Sequence, residues 1–226
     1  RNIFKDVKYI VKNGSRNNLK IIDIEVEEKP TGEISAGAGI GTNGGSFAIN
    51  IKESNWMGRG QSLTFEIEVD AESLGGALIF SDPNYDFLGN SINYSISSEN
   101  NDKPDQGYEN TVTSLGIGTS FEQYQDLRVN LGLEASYDDL RTDNLATDAL
   151  KKQSGTFTEL AGNYNFSFDK RNRAFNPTDG SLLTIGQSLH FYADKSFVSN
   201  YLSFNNYKTL NENAIGSSKF LLSTIN

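Results

Sequence analysis

The chain has 226 residues, a net charge of −9, no Cys, one His, 21 Gly, and 14 Phe, 10 Tyr and one Trp. No apolar run approaches the roughly 18 residues that a membrane-spanning helix needs, and without Cys there is no disulfide framework or thiolate metal site. The acidic charge argues against nucleic acid as a partner. The aromatic content excludes a disordered chain. The length fits one large β-domain, or one domain plus a fragment of another.

The first 30 residues differ from the rest in charge. They carry a net charge of +2, whereas the remainder carries −11. Such a shift predicts a domain boundary near Pro30. Residues 5–11 and 19–26 read as paired strands at the end of a small soluble domain. No signal peptide follows Arg1, and residues 219–226 read as a strand in progress, so we expect an internal fragment of a longer protein.

From about residue 32 onward, apolar and polar residues alternate with a period of two. In residues 63–70, Leu, Phe, Ile and Val occupy one face, and Thr, Glu and Asp the other. Similar segments are 91–97, 127–137, 160–169 and, less clearly, 183–191. About eleven such segments of roughly ten residues follow one another without a helical stretch, which predicts an antiparallel meander.

The alternation alone does not decide which face meets lipid, because a soluble barrel also alternates. Strands of this length suit a membrane barrel, whose polar lumen can hold charged residues such as Glu66, Arg128 and Glu134. The pattern also predicts connections that alternate in length, with the two longest polar loops, 98–109 and 138–154, on one side. The pattern therefore favours a membrane barrel over a soluble β-sandwich.

The odd-numbered connections are predicted at 42–45, 70–73, 98–109, 138–154 and 193–198. The even-numbered ones are predicted at 56–60, 82–89, 122–126, 170–180 and 210–214.

Four segments, residues 27–42, 53–63, 80–83 and 168–181, carry a stronger signal. In this order they resemble motifs of the Omp85 superfamily of outer-membrane assembly proteins. The first is similar to the passage from the last POTRA domain into the first barrel strand. The second resembles the turn between strands two and three, the third the end of strand four, and the fourth the turn between strands eight and nine. Asn84 and Asn172 depart from the usual pattern.

The resemblance covers about residues 20–225 and implies an all-β fold. Residues 31–226 would form about the first eleven strands of a transmembrane antiparallel β-barrel of roughly sixteen strands. Residues 1–30 would be the C-terminal strands of a POTRA domain. The protein would lie in the outer membrane of a Gram-negative bacterium, with the POTRA part in the periplasm.

The implied function is assembly and insertion of β-barrel proteins into the outer membrane. The implied partners are unfolded outer-membrane β-barrel clients, outer-membrane lipids and accessory lipoproteins, with no nucleic acid. We expect no enzyme activity, cofactor or metal, and His190 shows no evident partner ligand. The alternative is a secretion pore or channel of the same superfamily, such as a TamA-like protein or a two-partner secretion transporter.

The resemblance places the functional site on the first barrel strand, residues 33–42. In the mechanism that it implies, this strand separates from the last one at a lateral gate and pairs with client strands. The pairing edge would comprise Ile34, Ser35, Ala36, Gly37, Ala38, Gly39 and Ile40. Alternating glycines weaken a strand and favour opening; alternatively, they fit a tightly twisted barrel corner.

A second set of residues is expected in periplasmic turns, mainly to supply turn geometry. These are Asn55, Gly58, Gly60, Asp82, Pro83, Asp169, Arg171, Pro177 and Gly180. Trp56 would either anchor in an interfacial aromatic girdle or pack within its turn. The charges at 169–173 would either contact a POTRA domain or lipoprotein, or simply be solvated.

Overall fold

The computed structural model describes residues 3–16, 18–41, 44–192 and 195–226, and the fold is all-β. Strands β1 (Phe4–Asn13) and β2 (Lys20–Glu28) pair antiparallel in a small sheet of their own. This hairpin confirms the strand pair predicted near the N-terminus. Among the described residues, no helix is long and apolar enough to cross a membrane.

Eleven further strands form a single sheet in chain order, with every neighbouring pair antiparallel. Their bounds are β3 Gly32–Gly41, β4 Gly44–Trp56, β5 Gln61–Val69, β6 Ser73–Asp82, β7 Ser91–Lys103, β8 Tyr108–Tyr124, β9 Leu127–Thr142, β10 Gly155–Asp169, β11 Gly180–Tyr192, β12 Lys195–Asn211 and β13 Ala214–Ile225. The predicted antiparallel meander is confirmed. Strands joined by short connections pair antiparallel, since a parallel pair needs a long crossover connection. Strands β3 and β13 are the two edges of the sheet.

The sheet has one apolar and one polar face, because the cross-strand register aligns like with like. Ile67 lies opposite Ile49 on the apolar face, whereas Glu66 lies opposite Asn50 on the polar face. Apolar-face side chains such as Leu115, Leu133 and Leu160 stay exposed. No other described element covers this face, whereas the second sheet of a soluble sandwich would cover it.

The turns lie at two ends of the sheet. We call the end where β3 begins the entry end; its turns are 57–60, 83–90, 125–126, 170–179 and 212–213. The described turns of the far end are 70–72, 104–107 and 143–154, the last containing a short helix, α1 (Asp148–Lys151).

The predicted difference in loop length between the two ends is wrong. Strands β7 and β8 extend through most of the segment expected as the long loop 98–109, whereas β9 reaches only to Thr142 in the expected loop 138–154. At the entry end the turn 170–179 is nearly as long as 143–154, and β12 already begins at Lys195. The polar residues of β7 and β8 pair across strands: Asn100 Nδ2 donates to Glu109 Oε1 and to Thr111 Oγ1, each at 2.8 Å. The polar composition of these residues predicted a loop, but they lie in paired strands and bond to one another across the sheet.

A chain of side-chain hydrogen bonds crosses the apolar face from β10 to the edge strand β13. Tyr164 Oη donates to Gln187 Oε1 at 2.8 Å, and Gln187 Nε2 donates to Asn200 Oδ1 at 2.7 Å. Asn200 Nδ2 then donates to Thr224 Oγ1 at 3.1 Å. Each polar group thereby satisfies its neighbour, which lowers the cost of placing amides on an apolar face.

Candidate functional site

The candidate site is the free edge of β3. This strand pairs with β4 from Gly32 opposite Glu53 to Gly41 opposite Gly44, and no described strand lies on its other side. It begins one residue before the predicted start, and Thr42 lies outside the described residues. Every residue of β3 is exposed. The predicted pairing residues, 34–40, therefore all lie on this edge strand.

The hydrogen-bond ladder determines which backbone groups reach the free edge. The Ser54 N–H donates to the Thr31 carbonyl at 3.2 Å, just before β3 begins. Bonded pairs alternate along an antiparallel ladder, so the odd-numbered residues of β3 bond to β4. The N–H and C=O groups of Ile34, Ala36, Ala38 and Ile40 consequently point to the free edge. In lipid, each unpaired backbone group costs several kcal/mol.

The three alternating glycines of β3 lie on its polar face. A Cβ added to Gly37 or Gly41 would meet no atom within 4 Å, and one on Gly39 would meet only the flexible Ser46 hydroxyl, at 2.9 Å. None of the three has a positive φ. Within the described residues, neither backbone geometry nor crowding therefore requires glycine at 37 and 41.

The cross-strand pairs that contain these glycines are small. Gly37 lies opposite Ala48, and Gly41 opposite Gly44. A hollow of about 400 Å³ lies beside the first of these pairs and is lined by Gly37 and Ala48 together with Asn50 and Glu66. Since cross-strand side-chain pairs each contribute roughly 0.2–1 kcal/mol to a sheet, the polar face of β3 adds little to its pairing with β4.

The start of β3 is tied to the neighbouring turn. Thr31 Oγ1 donates to the Glu53 carboxylate, which also accepts the Asn55 N–H at 2.7 Å. Asn55 Oδ1 in turn accepts the Gly60 N–H at 2.7 Å, closing the turn 57–60. Gly58 and Gly60 have φ values of 72° and 66°, so both adopt the left-handed geometry expected of them. This network fixes β3 at the entry end.

Asp82 and Pro83 lie where β6 leads into the turn 83–90. Asp82 Oδ2 accepts Gln61 Nε2 at 2.8 Å, and its Oδ1 accepts the Asn84 N–H at 3.0 Å. Asn84 Oδ1 accepts the Gly89 N–H at 2.6 Å. Asn84, which departs from the expected pattern, thus closes this turn.

The turn 170–179 holds the remaining predicted residues, with Pro177 inside it. Arg171 forms a two-pronged pair with Asp169, donating from Nε to Oδ1 at 2.8 Å and from Nη2 to Oδ2 at 2.7 Å. These hydrogen bonds raise the pKa of Arg171. Gly180 has a φ of 95°, and a Cβ there would lie 2.1 Å from the Lys170 carbonyl oxygen. Asp169 and Arg171 therefore bind each other, which organises the turn.

Sequence reasoning missed the partner of His190. Its Nδ1 lies 2.5 Å from Glu159 Oε1 on the polar face, and its ring stacks on Phe197 with centroids 4.5 Å apart. Only the register between β10, β11 and β12 brings these residues together. Within the described ranges, no group of three or more His, Cys, Asp or Glu could hold a metal ion.

With this geometry described, the chain can be compared with known proteins. The model of the Omp85 superfamily domain matches residues 55–226, well over half of the chain. This chain belongs to the Omp85 superfamily. The resemblance found in the sequence is thus confirmed. Membership of this family of non-enzymatic assembly factors also confirms that the Omp85 chain is not an enzyme.

Two curated relatives are both named outer membrane protein assembly factor BamA. The protein of Neorickettsia risticii is 24% identical over 180 residues, covering 78% of this chain and 24% of the relative. The protein of Neisseria meningitidis serogroup B is 25% identical over 197 residues, covering 76% and 25%. The Omp85 chain therefore spans about a quarter of the length of these relatives.

The fold also matches a solved structure, the crystal structure of BamA from Haemophilus ducreyi lacking POTRA domains 1-3. The TM-score is 0.79 at 20% identity, and the match covers 99% of this chain and 47% of that one. The shared fold confirms the predicted all-β architecture. The expected turns between strands two and three and between strands eight and nine of the large sheet are found at 57–60 and 170–179.

Proposed function

We propose that this Omp85 chain forms part of an outer-membrane assembly factor that inserts β-barrel proteins into the outer membrane of a Gram-negative bacterium. Its free β3 edge serves as the template at a lateral gate. The observation that carries this proposal is the row of edge-directed backbone groups on Ile34, Ala36, Ala38 and Ile40. The proposed partners are unfolded β-barrel clients, membrane lipids and accessory lipoproteins.

The physical problem for a client is an unpaired strand in lipid, where each unsatisfied N–H or C=O costs several kcal/mol. Pairing with an existing strand edge removes that cost, which is recognition by β-augmentation. A client strand that adds to β3 also continues its apolar face, on which Ile34 and Ala36 lie opposite Ile51 and Ile49. The edge thus offers both hydrogen bonds and a surface that suits lipid.

We further propose that residues 31–226 form the N-terminal part of a transmembrane barrel and that residues 1–30 end a POTRA domain in the periplasm. Two observations support this division. Strands β1 and β2 form a separate sheet, and the Lys29 N–H donates to the Ile3 carbonyl at 3.3 Å, just before the chain enters β3. The entry end of the sheet then faces the periplasm.

Disulfide capture tests the template. Single Cys residues replace Ser35, Ala36 or Ala38 in the protein as it occurs in the cell, and the client carries a Cys in its terminal strand. The 226 residues contain no Cys, so they add no background. We expect capture that depends on register. If these positions cross-link only to the protein's own closing strand, the proposal fails in favour of a channel or secretion pore of the same superfamily.

Replacing Gly37 with Ala is expected to slow client assembly several-fold. The added methyl group meets nothing within 4 Å, and losing a glycine from a strand stabilises the extended backbone by roughly 0.5–1 kcal/mol. A stiffer β3 then pairs more firmly and opens less often. The measurement is the rate at which a client barrel becomes resistant to protease in proteoliposomes.

The matched control is Gly75→Ala in β6. A Cβ at Gly75 also has room, with its nearest atoms 3.9 Å away, but this strand is paired on both sides. We expect no change in assembly rate. Equal slowing by the two variants would show that the glycines of β3 have no special role in opening.

A further inference from the structure

Four hydrogen-bonding side chains form a straight row across the apolar face, one on each strand from β10 to β13. We call Tyr164, Gln187, Asn200 and Thr224 the polar row. Each residue lies directly opposite the next in the cross-strand register. Each of the first three donates to the next, over distances of 2.8, 2.7 and 3.1 Å. The row is therefore one connected network, and none of its members is charged near neutral pH.

The polar row lies within the apolar band and not at its border. On the far-end side, the neighbouring cross-strand pair is Leu189 with Val198. On the entry-end side, Ile185, Leu202 and Leu222 lie opposite one another. Because apolar residues flank it on both sides, the row falls at a depth where a membrane offers neither water nor headgroups.

The row has hydrogen-bonding capacity that its own bonds do not use. A primary amide has two N–H groups. Within the part of the chain that the structure describes, Gln187 and Asn200 each donate a single side-chain bond, so a second N–H remains on each. Acyl chains provide no acceptor for these groups, and an unsatisfied polar group in hydrocarbon is costly. The row therefore favours a partner that brings acceptors to this depth over contact with lipid alone.

The surface around the row has both a projection and a hollow. Tyr164 and Phe166, on β10, form an edge-to-face pair with ring centroids 5.7 Å apart, and they are 36% and 41% exposed. Beside this pair, a hollow of about 250 Å³ extends along the row to Leu222 and Thr224, and its lining residues lie mainly on β11, β12 and β13. A projection and a recess that lie side by side on one patch are what association about a two-fold axis requires.

We propose that the polar row is the contact surface of a homodimer in the membrane. Copies inserted in the same orientation bring their rows to the same depth when a two-fold axis along the membrane normal relates them. The row complements itself, because it is neutral and has both donors and acceptors. An axis near Gln187 also places the projection of each copy over the hollow of the other. This inference rests on the proposed function, which places the apolar face in a membrane.

Photocross-linking in living cells tests the surface. A benzophenone amino acid replaces Leu189, beside the row on β11, in the full-length protein, and a second, differently tagged copy is present in the same cells. We expect ultraviolet light to yield a covalent homodimer that contains both tags. The matched control carries the probe at Leu78, on β6 of the same face, because Leu189 and Leu78 are 39% and 43% exposed. It should capture phospholipid and yield at least about fivefold less homodimer.

The variant Asn200→Leu tests the hydrogen bonds of the row. It removes an amide but keeps a side chain of similar size, and the two-fold axis makes one substitution remove this group from both copies. We expect the homodimer yield from the Leu189 probe to fall at least about fivefold. The control is Asn206→Leu, which removes an amide from the same face of β12 outside the row and should leave the yield unchanged. Heat-modifiable gel mobility shows whether both variants are folded.

The outcomes separate this inference from the proposed function. If the Leu78 probe captures phospholipid but the Leu189 probe yields no more homodimer than it does, the face lies in lipid and the dimer surface is overturned. Capture of a different protein at Leu189, or a homodimer yield that Asn200→Leu leaves unchanged, also overturns it. If the Leu78 probe captures no phospholipid, the membrane location in the proposed function fails, and this inference fails with it.

Discussion

Replacing Ala38 with proline is expected to lower client-barrel assembly at least about tenfold without unfolding the sheet. The Ala38 N–H points to the free edge. Proline therefore removes a donor that the proposed pairing with a client strand uses, but no bond between β3 and β4. Proline is tolerated on sheet edges for this reason. A lost hydrogen bond in lipid costs several kcal/mol, and each 1.4 kcal/mol is a factor of about ten. Assembly of a model client in proteoliposomes measures the effect.

Two further variants make this result specific. Ala38→Val keeps the N–H group at a similar exposed position and should assemble clients at close to the normal rate. Gly37→Pro removes an N–H that bonds to β4, so it should destabilise the folded protein itself. Normal assembly by Ala38→Pro would show that the β3 edge does not pair with clients through its backbone.

Gly180→Ala is expected to have the largest effect on stability, lowering the free energy of unfolding by about 3 kcal/mol. The φ of 95° is unfavourable for any side chain, and the new Cβ would lie 2.1 Å from the Lys170 carbonyl oxygen and 2.8 Å from Arg171 Cα. Because both obstacles are backbone atoms, the turn 170–179 has to shift. Urea unfolding of the intact protein in lipid vesicles measures the loss.

Gly58→Ala is the matched control, since Gly58 also has a positive φ, 72°, but a Cβ there meets nothing within 4 Å. It should cost about 1 kcal/mol, from backbone strain alone. Equal losses in the two variants would mean that crowding at Gly180 contributes nothing and that the φ value accounts for the whole effect.

The sequence predicted the meander well because alternation is a local property. Leu63, Phe65 and Ile67 share a face whatever lies beside them. It did not predict where the polar strands end, because residues such as Asn100 look like loop residues until Glu109 and Thr111 are seen across the ladder.

The candidate site was also predicted only in part. The family resemblance assigned positions 34–40 to an edge strand. It did not indicate which of their backbone groups point outward, because that depends on the bond from the Ser54 N–H to the Thr31 carbonyl. The pairing of Glu159 with His190, and of Gln187 with Asn200, depends on register across separate strands, which one sequence does not specify.

The small side chains of β3 have a consequence for selectivity. An edge that offers backbone groups, with glycine at 37, 39 and 41, has almost no side chains through which to distinguish one incoming sequence from another. In the proposed function, this edge would select by shape, accepting any extended segment whose apolar residues fall on the correct face. A template of this kind would serve a broad range of substrates, and any choice among them would have to be made before a segment reaches β3.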